Sequence, residues 1–304
     1  MHPILQSIYG SNCDIVSQNS ITDGYKNSTY KVTCSEYETP LFVKIEKPFA
    51  IPRTQVYQVK KEVAGIVLCG NAGLPIPKII KSDADGQAFG SPWIVADFIN
   101  AQLIHEFQLS DENKKALGKE YEIMYAKISG ITNEFFGDAF SGGFIGQHES
   151  WNSAITKITQ LIYEDCVAVD VFGKKAEVVG FAIKKALSKI KSNHRSVFFH
   201  CDLFSANIMG VEKGNAVHIS HIIDFGMSLF ASECYSQYLT WKYTDFAVTP
   251  LDVCQKYGVA AEELEAYDII RMEAVLLANI FKLNEADALT AQFIQKCEEY
   301  VFSK

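Results

Sequence analysis

Three polar residues stand at a spacing that could do phosphate chemistry: Asp202, Asn207 five positions later, and Asp224. The apolar run Val197 to Phe199 reads as a short buried strand that delivers His200 and Asp202 onto a loop. Ile208-Met209 reads as a second short strand, Glu212 to Asn215 as a polar turn, and Ile219 to Ile223 as a third strand ending on Asp224-Phe225-Gly226. Three strand ends would then bring two carboxylates and a carboxamide to one point. A magnesium–nucleotide site needs such a set: one carboxylate near the attacking hydroxyl, and an Asn and an Asp as hard oxygen ligands. Asp and Asn are also common turn formers, so any one of them alone would carry little. It is the joint pattern, flanked by apolar strands, that points to chemistry.

Further candidates lie upstream. Lys44 sits inside the apolar strand Leu41 to Ile45, and Glu62 lies on the helix that follows. A lysine in such a strand is most often an outward-facing charge, and Glu62, beside Lys60-Lys61, could be a solvated helix carboxylate. The segment Asp23 to Val32 joins the first two strands. Backbone N–H groups at Gly24, with the Asn27 or Ser28 side chain, could cover a triphosphate there. With a single glycine it matches neither Gly-x-Gly-x-x-Gly nor a Walker loop, so an ordinary hairpin turn is the competing reading.

The elements that must position these residues divide into two kinds. The first hundred residues read mostly as strands: Ile15–Ile21, Thr29–Cys34, Leu41–Ile45, then Ile79–Lys81 and Trp93–Phe98 as a hairpin around Asp85-Gly86. Glu36 to Pro40 is read as a hairpin connection, and one helix spans about Val56 to Gly70, stopped by Gly73-Leu74-Pro75-Ile76-Pro77. Beyond Asn100 the pattern turns helical. Ser110 can cap a helix reaching Ile128, with Leu117, Tyr121, Met124 and Ile128 on one face. The glycine-rich stretch Phe135 to Glu149 is read as a loop, and helices are expected at Ser153–Asp165, Lys174–Ser192, Ala260–Leu283 and Glu285–Phe302. The expected fold is α+β and two-lobed: a small antiparallel-sheet lobe with one helix over residues 1–98, and a larger, mainly helical lobe over residues 99–304.

Composition sets outer limits. With 304 residues, 48% hydrophobic and 21% charged, the chain can bury a sizeable core. The eight cysteines form no Cys-x-x-Cys pair, and Met1 to Asn12 lacks the basic start and apolar run of a signal peptide. Reduced thiols in a cytoplasm are the simple reading. No stretch approaches a membrane span. Residues 1–100 are balanced in charge, and residues 101–304 carry the whole formal charge of −8. That balance disfavours nucleic acid and anionic membrane surfaces and suits a cationic partner, with plain solubility as the competing explanation.

The His200-x-Asp202-x4-Asn207 loop and the Asp224-Phe225-Gly226 turn resemble a kinase catalytic loop and its metal-binding triplet. Together with the Gly24–Val32 turn, Val43-Lys44, Glu62 and Gly73 to Pro77, the whole chain resembles the aminoglycoside phosphotransferase/choline kinase-like family. The resemblance implies a kinase-like fold and phosphorylation of a small-molecule hydroxyl with ATP, or GTP, and Mg2+. It implies Asp202 as the catalytic base or hydroxyl orienter, Asn207 and Asp224 as magnesium ligands, and Lys44 held by Glu62 on the α- and β-phosphates. Backbone atoms at Ala96, Asp97 and Phe98 would hold the adenine. The acceptor would be an aminoglycoside-type antibiotic or a metabolite such as choline, ethanolamine or a sugar, and a non-catalytic nucleotide-binding module is the alternative from another class. Three departures stand out. Cys201 replaces a glycine common in the family, the residues following Asp224 differ from the usual Gly-Asp-Pro and later Asp-Leu, and Phe135 to Glu149 only loosely matches segments near the acceptor site of antibiotic kinases. No Ala-Pro-Glu segment of a protein kinase follows Asp224.

Overall fold

The computed structural model describes residues 1–23, 26–140, 142–191 and 193–302. The amino-terminal part builds one five-stranded antiparallel sheet from β1 (Ile15–Asp23), β2 (Asn27–Cys34), β3 (Tyr37–Glu46), β4 (Ile79–Asp83) and β5 (Trp93–Asp97), in the order β1-β2-β3-β5-β4. The β2–β3 turn is tighter than expected, because Tyr37 already pairs with Cys34. A helix not expected from the sequence, α1 (His2–Tyr9), starts on a proline and buries Ile4 and Leu5 against Val32, Leu41, Val43 and Trp93. The single helix crossing the sheet, α2, runs Gln58–Asn71. It packs Val59 on Ile94 and Ala96, and turns Ile66 and Cys69 towards the helical lobe.

From Gln102 the chain forms β6 (Gln102–Leu103), α3 (Asp111–Ser129), β7 (Thr132–Asn133), β8 (Phe136–Gly137), β9 (Gln147–His148), α4 (Trp151–Ala168), α5 (Ala176–Leu187), β10 (Ser196–Phe199), β11 (Ile208–Lys213), β12 (Ala216–Ile222), β13 (Leu229–Ser232), α6 (Glu233–Tyr243), α7 (Val253–Tyr257), α8 (Ala261–Ile270), α9 (Glu273–Ile280) and α10 (Ala286–Phe302). The hydroxyl of Ser110 accepts from the Asn113 N–H at 3.2 Å and caps α3, whose Leu117, Tyr121, Met124 and Ile128 are buried as their spacing predicts. No described helix is long and apolar enough to cross a membrane.

Four expectations are corrected. The span Lys174–Ser192 is helical only as far as Leu187, after one 3-10 turn at Gly173–Lys175. Within Phe135 to Glu149, β8 and β9 form a two-residue ladder, with Phe136 opposite His148. β13 and α6 were not foreseen; β13 pairs along β10 from Ser196↔Ser232 to Phe199↔Leu229 and so fixes the strand leading into the loop that bears Asp202. Finally, Ala260–Leu283 is two helices, broken where Arg271 takes φ −86° and ψ 65°.

Candidate active site

β10 leads directly into His200, whose ring is buried and joins two loops. Its Nε2–H donates to the Ile223 carbonyl at 3.0 Å, and its Nδ1 accepts from the Asp202 N–H at 3.3 Å. That pattern fits a neutral imidazole, and burial pushes the His200 pKa down to about 4. The ring also lies 4.8 Å from that of Phe225. His200 therefore ties the loop bearing Asp202 to the strand end bearing Asp224, a structural part that its sequence position did not disclose.

Asn207 donates from Nδ2 to the Asp202 carbonyl at 2.8 Å and to Asp202 Oδ2 at 2.9 Å. This leaves Asn207 Oδ1 and Asp202 Oδ1 as the outward-facing acceptors. Burial, with Asp224 next in effect, holds the Asp202 carboxyl above the usual carboxylate range. Asp224 stands in the left-handed region (φ 60°, ψ 62°), which Asp tolerates better than most residues. Its Oδ1 accepts from Lys44 Nζ at 3.1 Å, and the Lys44 charge keeps its carboxyl below the ordinary range.

Lys44 is buried, which excludes the exposed-strand reading. It ion-pairs with the equally buried Glu62 as well as with Asp224. Burial alone would lower its pKa, but the two carboxylates outweigh this and hold it raised. Phe225 is wedged beneath α2: a Cβ on Gly65 would come 2.7 Å from Phe225 Cβ, and one on Gly226 would meet the Gln58 side-chain oxygen at 2.3 Å. Glycine at these two places lets α2 sit close enough for Glu62 to reach Lys44.

The remaining expected positions are less decisive. Gly24 lies outside the described residues. Asn27 and Ser28 open β2 opposite Glu46 and Ile45, next to the Thr29↔Lys44 pair, and Asn27 Oδ1 is buried without a partner. Ala96 is buried in β5. The Asp97 and Phe98 N–H groups are donated to the carbonyls of Lys78 and Pro40, at 3.1 and 3.0 Å. A purine would therefore find carbonyl oxygens here, or backbone beyond Phe98, rather than those two donors. Cys201 has φ 69°, which explains why a glycine suits this position: size is not the constraint, the left-handed backbone is.

Several site residues were missed. Lys26 hydrogen-bonds Gln55, its ammonium is lowered by burial, and Asp224, Glu273 and Asp202 act on it electrostatically. Gln55 Nε2 and Thr54 Oγ1 both donate to Glu273 Oε1, at 2.7 and 3.0 Å. The loop before α2 is also anchored by Arg53 Nε to the buried Asp165 at 2.6 Å and by Arg53 to Glu164 at 2.9 Å. The glycine-rich stretch serves α2: its Asp138 lies 3.8 Å from the buried Lys61 Nζ, and Phe140 and Phe144 pack on Tyr57. Sequence could have flagged Lys26 as a cation inside the turn, but the contacts across more than 100 residues have no local signature.

Most of the acidic residues that suggested a cationic acceptor have partners of their own or face solvent. Asp268 is held by Lys242 and Lys296, Glu298 by Lys175, and Glu263 by the Tyr267 hydroxyl, while Glu262 and Glu265 are exposed.

A phosphotransferase enzyme family model matches residues 17–235. No curated protein sequence matches the chain significantly. Among solved structures, the chain is similar to a thermostable mutant of aminoglycoside phosphotransferase APH(4)-Ia, with 13% identity, 99% of this chain and 98% of that one covered, and a TM-score of 0.65. It is equally similar to a Haemophilus somnus 129PT protein provisionally assigned as a fructosamine-3-kinase (13%, 99% and 96%, 0.66). The GDP and kanamycin complex of APH(2")-IIia matches at 13% identity over 98% and 97% of the chains, with a TM-score of 0.59.

Proposed function

The chain belongs to the phosphotransferase enzyme family, a small-molecule phosphotransferase with a hydroxyl acceptor, and from that premise we propose that it moves the terminal phosphoryl group of ATP. The observation that carries the reading is the joined pair of clusters, Lys44–Glu62–Asp224 and Asp202–Asn207, with the buried His200 between them. A structure of the APH(4)-Ia relative holds AMP-PNP and hygromycin B, which supports nucleotide use here without naming the acceptor.

In this reading residues 1–98 form the nucleotide-binding lobe and residues 99–304 the catalytic lobe. Lys44, fixed by Glu62, neutralises the α- and β-phosphates, and Lys26, which Asp224 and Asp202 both act on, would add positive charge for the transferred group. Asp202 Oδ1 accepts a hydrogen bond from the acceptor hydroxyl, orients its lone pair at phosphorus, and takes the proton as the new P–O bond forms. Asn207 holds the other oxygen of Asp202 and so fixes the direction of the first.

The donor set suits magnesium. Asn207 Oδ1 and the Asp224 carboxylate are hard oxygens at adjoining strand ends, and among the described residues no cluster of three or more His, Cys, Asp or Glu competes with them. Mg2+ commonly takes one or two carboxylates and completes its shell with phosphate and water. Held by Asn207 and Asp224, it would supply positive charge to offset that of the phosphates.

The acceptor is carried only as a hydroxyl-bearing small molecule, whether antibiotic, amino alcohol or sugar. ATP consumption across a panel of hydroxylated compounds, run beside Asp202→Asn, tests the reading. Acceptor-dependent turnover that is lost in the variant is expected; turnover in neither enzyme would return the chain to a binding role.

A further inference from the structure

We infer that the acceptor carries an anionic group, a carboxylate or a phosphate, and that Arg271 binds it; this rests on the phosphotransferase reading above. The chain has three arginines. Arg53 is paired with Asp165 and Glu164, and Arg195 makes two bonds to Glu233, at 2.6 and 2.9 Å. Arg271 is different. Among the described residues it has no ion pair and no hydrogen bond, although it is half-buried. Its guanidinium lies 3.8 Å from the ring centroid of Tyr243. That ring is itself steadied by the Tyr243 hydroxyl, which donates to Asp268 at 3.3 Å.

The location gives the free guanidinium its meaning. Arg271 lines one cavity with Asp202, Cys201, Thr240, Tyr243 and Thr244, on the α6 side of the catalytic loop. The phosphate-facing cations Lys44 and Lys26 approach Asp224 from the sheet lobe instead. A compound that reaches Asp202 with its hydroxyl from this cavity would have Arg271 on the wall beside it. Arg271 stands at the break itself, between the end of α8 at Ile270 and the start of α9 at Glu273.

Neighbouring carboxylates do not pair with it: Asp268 is taken by Lys242 and Lys296, Glu273 accepts from Thr54 and Gln55, and Asp202, on the same cavity wall, is bonded by Asn207. A planar guanidinium stacked on an aromatic face, its edge donors unspent, is pre-organised for a carboxylate or phosphate. The Thr240 and Thr244 hydroxyls on the same wall are neutral and add no competing charge.

The test uses the full-length protein with Mg-ADP, titrated calorimetrically with four matched pairs: glycerate and glycerol, gluconate and glucitol, homoserine and 3-amino-1-propanol, ribose 5-phosphate and ribose. ATP consumption is followed with the same compounds. In at least one pair the anionic member should bind tighter by about 10- to 100-fold, the range of a charge-assisted bidentate contact. Arg271→Gln should bring that ratio to within about threefold, Arg271→Lys should keep an intermediate ratio, and Mg-ADP affinity should not move in either. Should Arg271→Gln fail to fold, Arg271→Lys against Arg271→Met carries the comparison. The three carboxylate pairs and the phosphate pair separate the two anion types. No anionic preference in any pair, or a preference that survives loss of the guanidinium, overturns the proposal. Anion binding through Arg271 with no ATP consumed by any pair would establish the guanidinium contact but overturn its assignment to an acceptor, and would count against the phosphotransferase reading.

Discussion

Gly65→Ala is the most informative small perturbation, because it adds a single methyl between α2 and Phe225. The new Cβ would lie 2.7 Å from Phe225 Cβ and 2.9 and 3.0 Å from its ring atoms, where ordinary contact begins at 3.4 Å. Phe225 is fully buried between α2, Phe198 and His200 and has no free side to move into. α2 must therefore retreat by about 0.7 Å, and Glu62, one turn earlier on the same helix, retreats with it. Replacing a helical glycine by alanine gains about 1 kcal/mol. Overpacking of this kind costs about 1–3 kcal/mol, so the net stability change is about 0–2 kcal/mol unfavourable. Activity should suffer more, since sub-ångström displacement of a positioning group costs about 10- to 100-fold in rate. Gly70→Ala is the matched control in the same helix: its nearest contact is the Ile76 side chain at 3.4 Å, so it should gain about 1 kcal/mol and keep its rate. Initial rates of ATP consumption and urea midpoints for the two variants decide the matter. A Gly65→Ala enzyme as stable and as fast as Gly70→Ala would refute the coupling of Phe225 to the Lys44–Glu62 pair.

Three further outcomes follow from buried charges. His200 has its pKa lowered to about 4 by burial, so between about pH 6.5 and 4 the unfolded chain takes up a proton that the folded one refuses. Stability should fall with pH across that window by up to about 3 kcal/mol and level off below it, and His200→Gln should flatten that slope in pH-dependent denaturation. Lys44→Ala leaves Glu62 buried without its counter-charge, so it should cost about 3–5 kcal/mol as well as turnover; a near-neutral unfolding midpoint would contradict the buried ion pair. Arg53→Ala strips the buried Asp165 of its side-chain partner but not of the residue-53 N–H, and should cost about 1–3 kcal/mol by chemical denaturation while leaving the Mg-nucleotide site intact.

What the sequence disclosed, and what it did not, follows from the range of each interaction. Asp202, Asn207 and Asp224 were legible because each sits at the end of a short apolar strand, and strand periodicity is a local signal. α3 was legible for the same reason, from Ser110 and a regular apolar face. The break at Arg271 was not. Apolar residues continue through Ile270, Met272 and Val275, and no glycine or proline marks the interruption; the buried packing of Tyr267, Met272 and Leu276 selects it. β13 was hidden because Leu229 to Ser232 is strand-like only as a partner for β10. The positive φ at Cys201 was hidden as well, because a backbone angle at a non-glycine residue has no signature in composition. Charge counting alone says least about the acceptor, since many acidic residues of the last sixty positions pair with lysines or a tyrosine or face solvent.

The most direct measurement of the central claim compares Asp202→Asn with the parent enzyme in two assays at once: Mg-ATP affinity by calorimetry, and acceptor-dependent phosphoryl transfer. The asparagine keeps the shape and the contact with Asn207 Nδ2 but cannot accept the hydroxyl proton. Affinity within about threefold of the parent, with transfer reduced by at least about 100-fold, is the predicted result for removal of a general base. Transfer within tenfold of the parent would contradict it and move the hydroxyl-activating role away from Asp202.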